Sequence, residues 1–374
     1  MWSIWERTGF HRDADLVVVG GGLVGLFTAL FHQRARPGDH VVVLDKGAFP
    51  AGASVRNAGF ACFGSPSELL ADIAAEGEAA ALARVDERWR GLLELRAELG
   101  DGNIGFEASG GHELFMANDP LYTHVAQGFD GLNKALSPIL GSTPFRWNDT
   151  SIKSLGFNHV KHLATTDLEG PLDSGMLMRT LLRKTTAEGV LFRGGSTVTG
   201  MEENSAHVVV QLQDGSSMRA ARVVVATNGY STSLLPGIDV LPARGQVLLT
   251  GNVPGLSLSG TYHMDEGYIY FREYQGGVLL GGGRNLDPEG ERTTDEGVTP
   301  LIQEHLEELL RSTILPDIPH HIAHRWSGVM GFRSKGKQPL VERLGERMVV
   351  AAGLSGMGVA IGIRVARKAA ALVG

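Results

Sequence analysis

Asp15-Leu16-Val17-Val18-Val19-Gly20-Gly21-Gly22-Leu23-Val24-Gly25 decides the fold. The β-branched run over 15–19 reads as a buried parallel strand, because a strand covered on both faces shows no polar alternation. It runs straight into glycines at 20, 22 and 25, the spacing G-x-G-x-x-G. Residues 26–33 continue as an apolar helix, Pro37-Gly38-Asp39 breaks it, and His40-Val41-Val42-Val43-Leu44 forms the next strand, which ends on Asp45. Gly20 permits the tight turn, Gly22 lets the backbone approach a pyrophosphate, and Gly25 lets helix and strand pack closely. The helix N-terminus offers free N–H groups and a favourable dipole to phosphates. Asp45 can accept hydrogen bonds from a ribose diol and would repel the 2′-phosphate of NADP. The segment therefore reads as a site for FAD or NAD, and does not separate the two.

The rest of the composition sets bounds. The chain has 374 residues, which at roughly 150 per domain suggests about two domains. With 43% apolar and 20% charged residues, it is an ordinary globular chain, and disorder, collagen and coiled coil are excluded as global descriptions. A net charge of -7 argues against nucleic acid as a main partner, since a backbone binder wants a basic face. Cys62 is the one cysteine, so there is no intrachain disulfide and no Cys-rich metal cluster, which suits a reducing, cytoplasmic setting. The opening Met1-Trp2-Ser3-Ile4-Trp5-Glu6-Arg7 lacks the pattern of a signal peptide. The apolar runs near Val17, Val41, Val223 and Val349 are strand-sized, so no membrane span is expected.

Along the chain, 67–99 has helical spacing, read as one or two helices, and 175–187 reads as another. Strands are expected over 106–116, 154–163, 190–198, 206–213, 218–226, 245–250, 268–272 and 278–283, with Asp214-Gly215 turning between two of them. The run 221–229 is a buried-type strand ending in small and polar residues. Residues 302–310 read as an amphipathic helix. Met348-Val349-Val350-Ala351-Ala352 then feeds Gly353-Leu354-Ser355-Gly356-Met357-Gly358-Val359 and a small-residue helix, which repeats the glycine-then-helix logic of the N-terminus. His320, His321 and His324 lack an HExxH pattern or an accompanying acid set, so no metal site is expected.

Taken in order, the segments 17–25, Asp45, 53–59, Gly110-Gly111, Leu172-Asp173, 223–229, Arg244-Gly245-Gln246, Gly281-Gly282, Trp326-Ser327-Gly328 and 353–359 resemble the FAD-dependent amine and amino-acid oxidoreductases, the D-amino acid oxidase type. The stretch Tyr268-Ile269-Tyr270-Phe271-Arg272, followed by 277–282, looks most like the gamma-glutamylputrescine oxidase branch, with glycine oxidase and sarcosine oxidase nearby. The resemblance implies an α/β fold: a Rossmann-like FAD-binding domain interleaved with a mixed antiparallel-sheet substrate domain that covers the flavin. The expected FAD-binding segments are 12–110, 165–235 and 325–374, with 111–164 and 236–324 forming the cap. By motif, Gly20, Gly22 and Gly25 would hold the pyrophosphate, and Asp45, followed by Lys46, the ribose. Arg56, Asn57, Ala58 and Gly59 would pass near the flavin, Val198 near the adenine, and Thr227 and Gly229 beside the cofactor. Gly356, Met357, Gly358 and Val359 would contact the flavin ring or its ribityl chain. Some relatives attach FAD through a cysteine far along the chain; Cys62 is not in that region, so a non-covalent flavin is implied. Met357 stands where many relatives have histidine, and Lys335-Gly336-Lys337-Gln338-Pro339 lacks the usual acid before the proline.

The activity so implied is oxidation of the C–N bond of a small amine or amino acid, by hydride transfer to flavin, imine hydrolysis, and reoxidation by oxygen or another acceptor. A substrate carboxylate would want an arginine fork. Arg272 and Arg333 are the candidates, with Tyr270 and His263 as orienting groups. A flavin dehydrogenase of a 2-hydroxy acid, a non-catalytic FAD scaffold and a plain NAD-binding module remain the alternatives.

Overall fold

The computed structural model describes residues 3–10 and 12–374. Met1 and Trp2, which open the N-terminal stretch read above, lie outside them. The chain divides into two compact units. One comprises residues up to Val55, Gly175–Pro242 and Met330–Gly374; the other comprises Arg56–Ser174 and Ala243–Val329. Residues 56–110 and 165–174 thus group with the second unit. The reason is packing: Leu69 and Val85 of the helices Pro66–Glu76 and Glu78–Leu99 share an apolar core with Phe115 and with Val125, Phe129 and Leu132 of the helix Pro120–Leu140.

In the first unit, the sheet order is Leu340–Arg343, Met348–Ala352, Ser217–Val225, Ala14–Val19, Val41–Leu44, Leu191–Arg193. The last five run parallel, and Leu340–Arg343 closes one edge antiparallel. Val198–Glu203 and Val208–Leu212 extend Ser217–Val225 as an antiparallel branch. Valines at 17, 18, 42, 43, 223 and 224 are fully buried, as a sheet covered on both faces requires. The helices Leu23–Ala35 and Gly358–Val373 pack together, with the Thr28 hydroxyl 3.4 Å from the Ala366 carbonyl oxygen.

The second unit carries an eight-stranded mixed sheet, in the order Ile322–Phe332, Leu241–Thr250, Gly277–Gly282, Ile269–Tyr274, Thr261–Met264, Gly111–Met116, Val160–Thr166, Arg146–Trp147. Thr261–Met264 and Gly111–Met116 pair parallel, while the other pairs from Leu241–Thr250 to Arg146–Trp147 are antiparallel. One face of this sheet buries Tyr262, Met264, Ile269, Phe271 and Leu280 against Ile302 and Leu306 of the helix Pro300–Leu309.

Some elements differ from the sequence reading, each for a local reason. The run 190–198 is broken at Gly194-Gly195, where Gly195 turns with φ +65°. The strand expected from 154 begins at Val160, because Ile152–Leu155 is a helical turn closed by Gly156 in the left-handed region. The helix Pro120–Leu140 was masked by its internal Gly128, Gly131 and Pro138, although Asp119-Pro120 is a good start: the Asp119 carboxylate accepts the Leu121 N–H at 2.9 Å. Among the described residues, no helix is long and apolar enough to cross a membrane.

The strand-to-helix turn offers a direct test. A Cβ on residue 25 would overlap the Gly20 carbonyl oxygen, which is backbone and cannot step aside. Gly25→Ala is expected to lower stability by about 1–3 kcal/mol, as overpacking does. Thermal unfolding at the wild-type midpoint would contradict the described packing.

Candidate functional site

In the first unit, the carboxyl ends of four adjacent parallel strands bring together Gly20–Gly25, Asp45-Lys46, Thr227–Gly229 and Gly353–Val359. That edge is where open α/β sheets receive ligands. Gly20 has φ +106°, and a Cβ there would lie 2.6 Å from the Ala226 carbonyl oxygen. A Cβ on Gly22 would meet the Ser54 hydroxyl at 2.8 Å, and that hydroxyl accepts the Leu23 N–H at 3.0 Å. The first turn of the helix Leu23–Ala35 has no acid to repel a phosphate. Asp45 Oδ2 accepts the Gly21 N–H and Oδ1 the Gly47 N–H, each at 2.8 Å. Burial pushes this carboxyl up, against those two amides. Each oxygen retains a lone pair for a ribose hydroxyl. Glycines that admit no side chain, an acid-free helix start and a buried carboxylate together fit the adenosine diphosphate part of a dinucleotide.

The second glycine loop is anchored by a residue the sequence reading did not single out. Asn228, at φ +46°, accepts the Gly353 and Leu354 N–H groups on its side-chain oxygen, at 3.0 and 3.4 Å. Ser355 and Gly356 then turn at positive φ into the helix Gly358–Val373, with Met357 at its N-cap. Lys46 lies 3.8 Å above the Tyr230 ring, and the Thr227 hydroxyl pairs with Ser231 at 3.1 Å. Val198 buries its side chain in the sheet core. Arg333 also lies in this unit, where its Nε donates to Asp239 at 2.8 Å. Its charge is therefore already matched, and Asp239 is held down to about 2 by the Ser334 amide and that guanidinium.

The second unit gathers the other candidates on one sheet face. Side chains alternate along a strand, so Thr261, His263, Tyr270 and Arg272 share the face opposite Tyr262, Met264, Ile269 and Phe271. His263 is the register partner of Tyr270, and Thr261 of Arg272. On the neighbouring strand, Gly111 is opposite Thr261 and Glu113 is opposite His263. Phe60 sets its ring edge-on to both His263 and Tyr270, with centroids 5.1 and 5.8 Å away. Arg56–Gly59 belongs to this unit as well. Arg56 ion-pairs with Glu296 at 3.0 Å and donates to the Ser327 carbonyl, also at 3.0 Å. Asn57 accepts the Gly59 N–H at 2.9 Å and the Ser174 hydroxyl at 2.7 Å. Ala58 packs on Val247 and Leu279.

Arg272 is the anomaly. It is 7% exposed, and its Nε has no hydrogen-bond partner among the described residues. Burial pulls its pKa down, the nearby charges of Asp173, Glu273 and Glu107 oppose this, and its guanidinium lies 5.3 Å from the Tyr274 ring centroid with no ion pair among the described residues. Asp173 instead accepts the Tyr274 hydroxyl at 3.3 Å. The Arg272 guanidinium lies over Gly59, where a Cβ would be 3.0 Å from its Nη2. Beside it, the Thr261 hydroxyl, at 0% exposure, is also without a partner. Two neighbouring buried donors thus lack acceptors among the described residues.

A water-sized cavity of about 10 Å³ opens on the same face, lined by Ser65, Gly111, Glu113, Thr166, Glu169 and His263 among others. Glu113 is 1% exposed; it accepts the hydroxyls of Ser65, at 2.9 Å, and Ser67, and the Ser67 N–H at 3.0 Å. Glu169, at 2% exposure, accepts the Phe63 and Gly64 N–H groups at 2.7 and 3.3 Å. Burial pushes Glu113 up to about 7 and Glu169 up to about 8. It lowers His263 to about 4, so the imidazole is neutral. Sequence reading missed Thr261, Glu113, Glu169 and Asn228: none sits in a motif, and sheet pairing and loop packing alone assemble them.

Comparison with known proteins agrees with this geometry. The family described as "DAO: FAD dependent oxidoreductase" matches residues 15–372. An L-proline dehydrogenase from P. horikoshii is similar at 19% identity, with a TM-score of 0.75 over 97% of this chain and 94% of that one. A glycine oxidase from Geobacillus kaustophilus is similar at 20% identity, with a TM-score of 0.75 over 97% and 95%. An iminodiacetate oxidase from Chelativorans sp. BNC1 is similar at 19% identity, with a TM-score of 0.76 over 96% and 95%. At these identities the likeness is one of fold.

The raised carboxyl groups fix the sign of a pH effect. Glu113 and Glu169 keep protons in the folded state that the unfolded chain releases near its ordinary glutamate value, so their stability contribution is lost as pH rises through about 7 and 8. Glu169→Gln is expected to flatten the fall of the melting temperature between about pH 5 and 8. An unchanged slope would show that Glu169 is ionised throughout.

Proposed function

The chain belongs to the DAO family of FAD-dependent oxidoreductases, and on that premise we propose that it oxidises the C–N bond of a small amine that also bears a carboxylate, an α-amino or imino acid. The observation that carries this reading is the buried Arg272, with Thr261 beside it and no protein acid paired to it. A desolvated guanidinium without an acceptor is costly, and a bidentate carboxylate removes that cost. Arg333 is set aside as the carboxylate receptor because Asp239 already holds it. The similar structures support the class: proline, glycine and iminodiacetate each join an amine to a carboxylate.

Bound FAD would supply the acceptor for a hydride from the carbon next to nitrogen. Gly20, Gly22 and Gly25, with the start of the helix Leu23–Ala35, would hold its pyrophosphate, and Asp45 its ribose. Arg56–Gly59, Thr227, Gly229 and Gly356–Val359 are the proposed flavin-side residues, with Lys46 and Val198 flanking the adenosine. The cofactor is held without a covalent bond. Cys62 is buried and its thiol is pushed well up by that burial, so the nucleophilic thiolate is disfavoured. Arg272 and Thr261 bind the carboxylate, Tyr270 and His263 orient the amine end, and the imine product hydrolyses in water, with oxygen as the final acceptor. The neutral His263 and Tyr270 add no charge that would compete with the substrate for Arg272.

Anaerobic addition of glycine, sarcosine, D-alanine, L-proline, putrescine and gamma-glutamylputrescine to the purified flavoprotein tests the proposal. Bleaching of the flavin by an amino or imino acid is expected, whereas bleaching by putrescine alone, an amine without a carboxylate, would overturn it. Arg272→Met is expected to lower kcat/KM for that substrate by at least about 30-fold, the lower end for truncating one partner of a buried charge pair, with FAD content unchanged. Undiminished kcat/KM would remove Arg272 from the site.

A further inference from the structure

An amino acid reaches the enzyme as an ammonium, yet a carbon next to a positively charged nitrogen does not give up hydride. A proton must leave first. The polar face of the second sheet contains a group suited to take it. Glu113, His263 and Tyr270 lie in register across three neighbouring strands, one lane over from Gly111, Thr261 and Arg272. Diagonal neighbours on such a face stand roughly 7–8 Å apart. Arg272 and His263 thus stand in adjacent lanes of one face. In an α-amino acid, one carbon separates the carboxylate from the nitrogen.

The His263 imidazole is 8% exposed, lines the cavity and makes no hydrogen bond to a described residue. A neutral imidazole has one acceptor and one donor nitrogen, so it can take a proton on one side while releasing one on the other. The cavity is large enough for about one water, and Glu113 and Glu169 provide polar partners for it.

Resting on the carboxylate-bearing amine reading, we propose that Glu113, acting through His263 and one cavity water, receives the substrate's ammonium proton before oxidation. The N–H bond breaks and its electron pair stays on nitrogen. An O–H bond forms at the Glu113 carboxylate, and no oxidation state changes. Glu113 is thus a positioning residue for the proton, not a group that touches substrate.

The surroundings tune Glu113 to this task. Burial and the negative charge of Glu68, on the helix Pro66–Glu76, raise it toward neutrality, while the Ser65 and Ser67 hydrogen bonds keep the ionised form accessible. Arg88, on the helix Glu78–Leu99, is 3.3 Å from Glu68 and offsets part of that charge. His112, on the Glu113 strand, is lowered to about 4 by burial and stays neutral. Glu169, across the cavity, is also raised by burial, but it comes from a loop and is held by the Phe63 and Gly64 amides. Glu113 is the cavity acid in register with His263.

The test uses the holoprotein and an amine already shown to bleach the wild-type flavin, so that failure here is separate from failure of the C–N reading. In wild type, the rate of anaerobic flavin bleaching at limiting substrate should fall roughly tenfold per pH unit below the Glu113 value. Glu113→Gln should abolish that limb and lower the rate at neutral pH. Infrared titration of the same two proteins without substrate should show a carboxyl band that titrates near neutrality in wild type and is missing from the variant. Ser67→Ala, which removes only the hydroxyl hydrogen bond to the carboxylate, should move the limb to higher pH. A limb unchanged in Glu113→Gln, or unmoved in Ser67→Ala if the first variant does not fold, overturns the proposal.

Discussion

The Gly20 carbonyl oxygen occupies the space a side chain on residue 25 would need. That approach lets the helix Leu23–Ala35 follow the strand Ala14–Val19 after a minimal turn, so the helix start stays level with the strand ends. Much of the first unit depends on it. Asp45, at the end of the next parallel strand, reaches back to the Gly21 amide. Ala226, at the end of the strand on the other side, abuts Gly20. The late loop joins the same edge because Asn228 holds its amides. Close backbone approaches, together with the Asp45 and Asn228 side chains, thus set the shape of this edge.

The second unit answers to a different constraint, the two-residue repeat of a strand. One face takes the aromatic and aliphatic residues and closes on a helix. The other face must then take everything of opposite phase, including an arginine, a histidine and Glu113, and Glu169 joins it from a loop. Burying them opposes folding unless each is paired or neutral. The glutamates are held near neutrality and the histidine has lost its charge. Arg272 cannot discharge in this way. Among the described residues of this face, it is the buried charge whose Nε has no acceptor.

The sequence made the first unit legible because its signal is local: a β-branched strand, three glycines and an acid lie within one short stretch. The second unit was legible by residue type. Arg272, Tyr270 and His263 stood out as rare groups in apolar strands, but Arg272 and Arg333 looked alike until Asp239, 94 residues before Arg333 in sequence, was seen to hold the latter. Glu113 and Glu169 reach the cavity from strand and loop segments that only sheet pairing brings next to His263. Nothing in the surrounding sequence marks them as buried. Helices over 66–99 likewise give no hint in their own pattern of which sheet they will cover.

Face alternation also constrains how this protein can change over evolutionary time. Substitutions on the polar face of Ile269–Tyr274 can alter what is bound while leaving the aromatic face intact. Gain or loss of a single residue within that strand cannot, because it would turn Arg272 into the aromatic layer and Phe271 out of it. Diversification of ligand preference on this scaffold should therefore proceed by point replacement within the strands, with length variation confined to turns such as Gln275-Gly276 that join them.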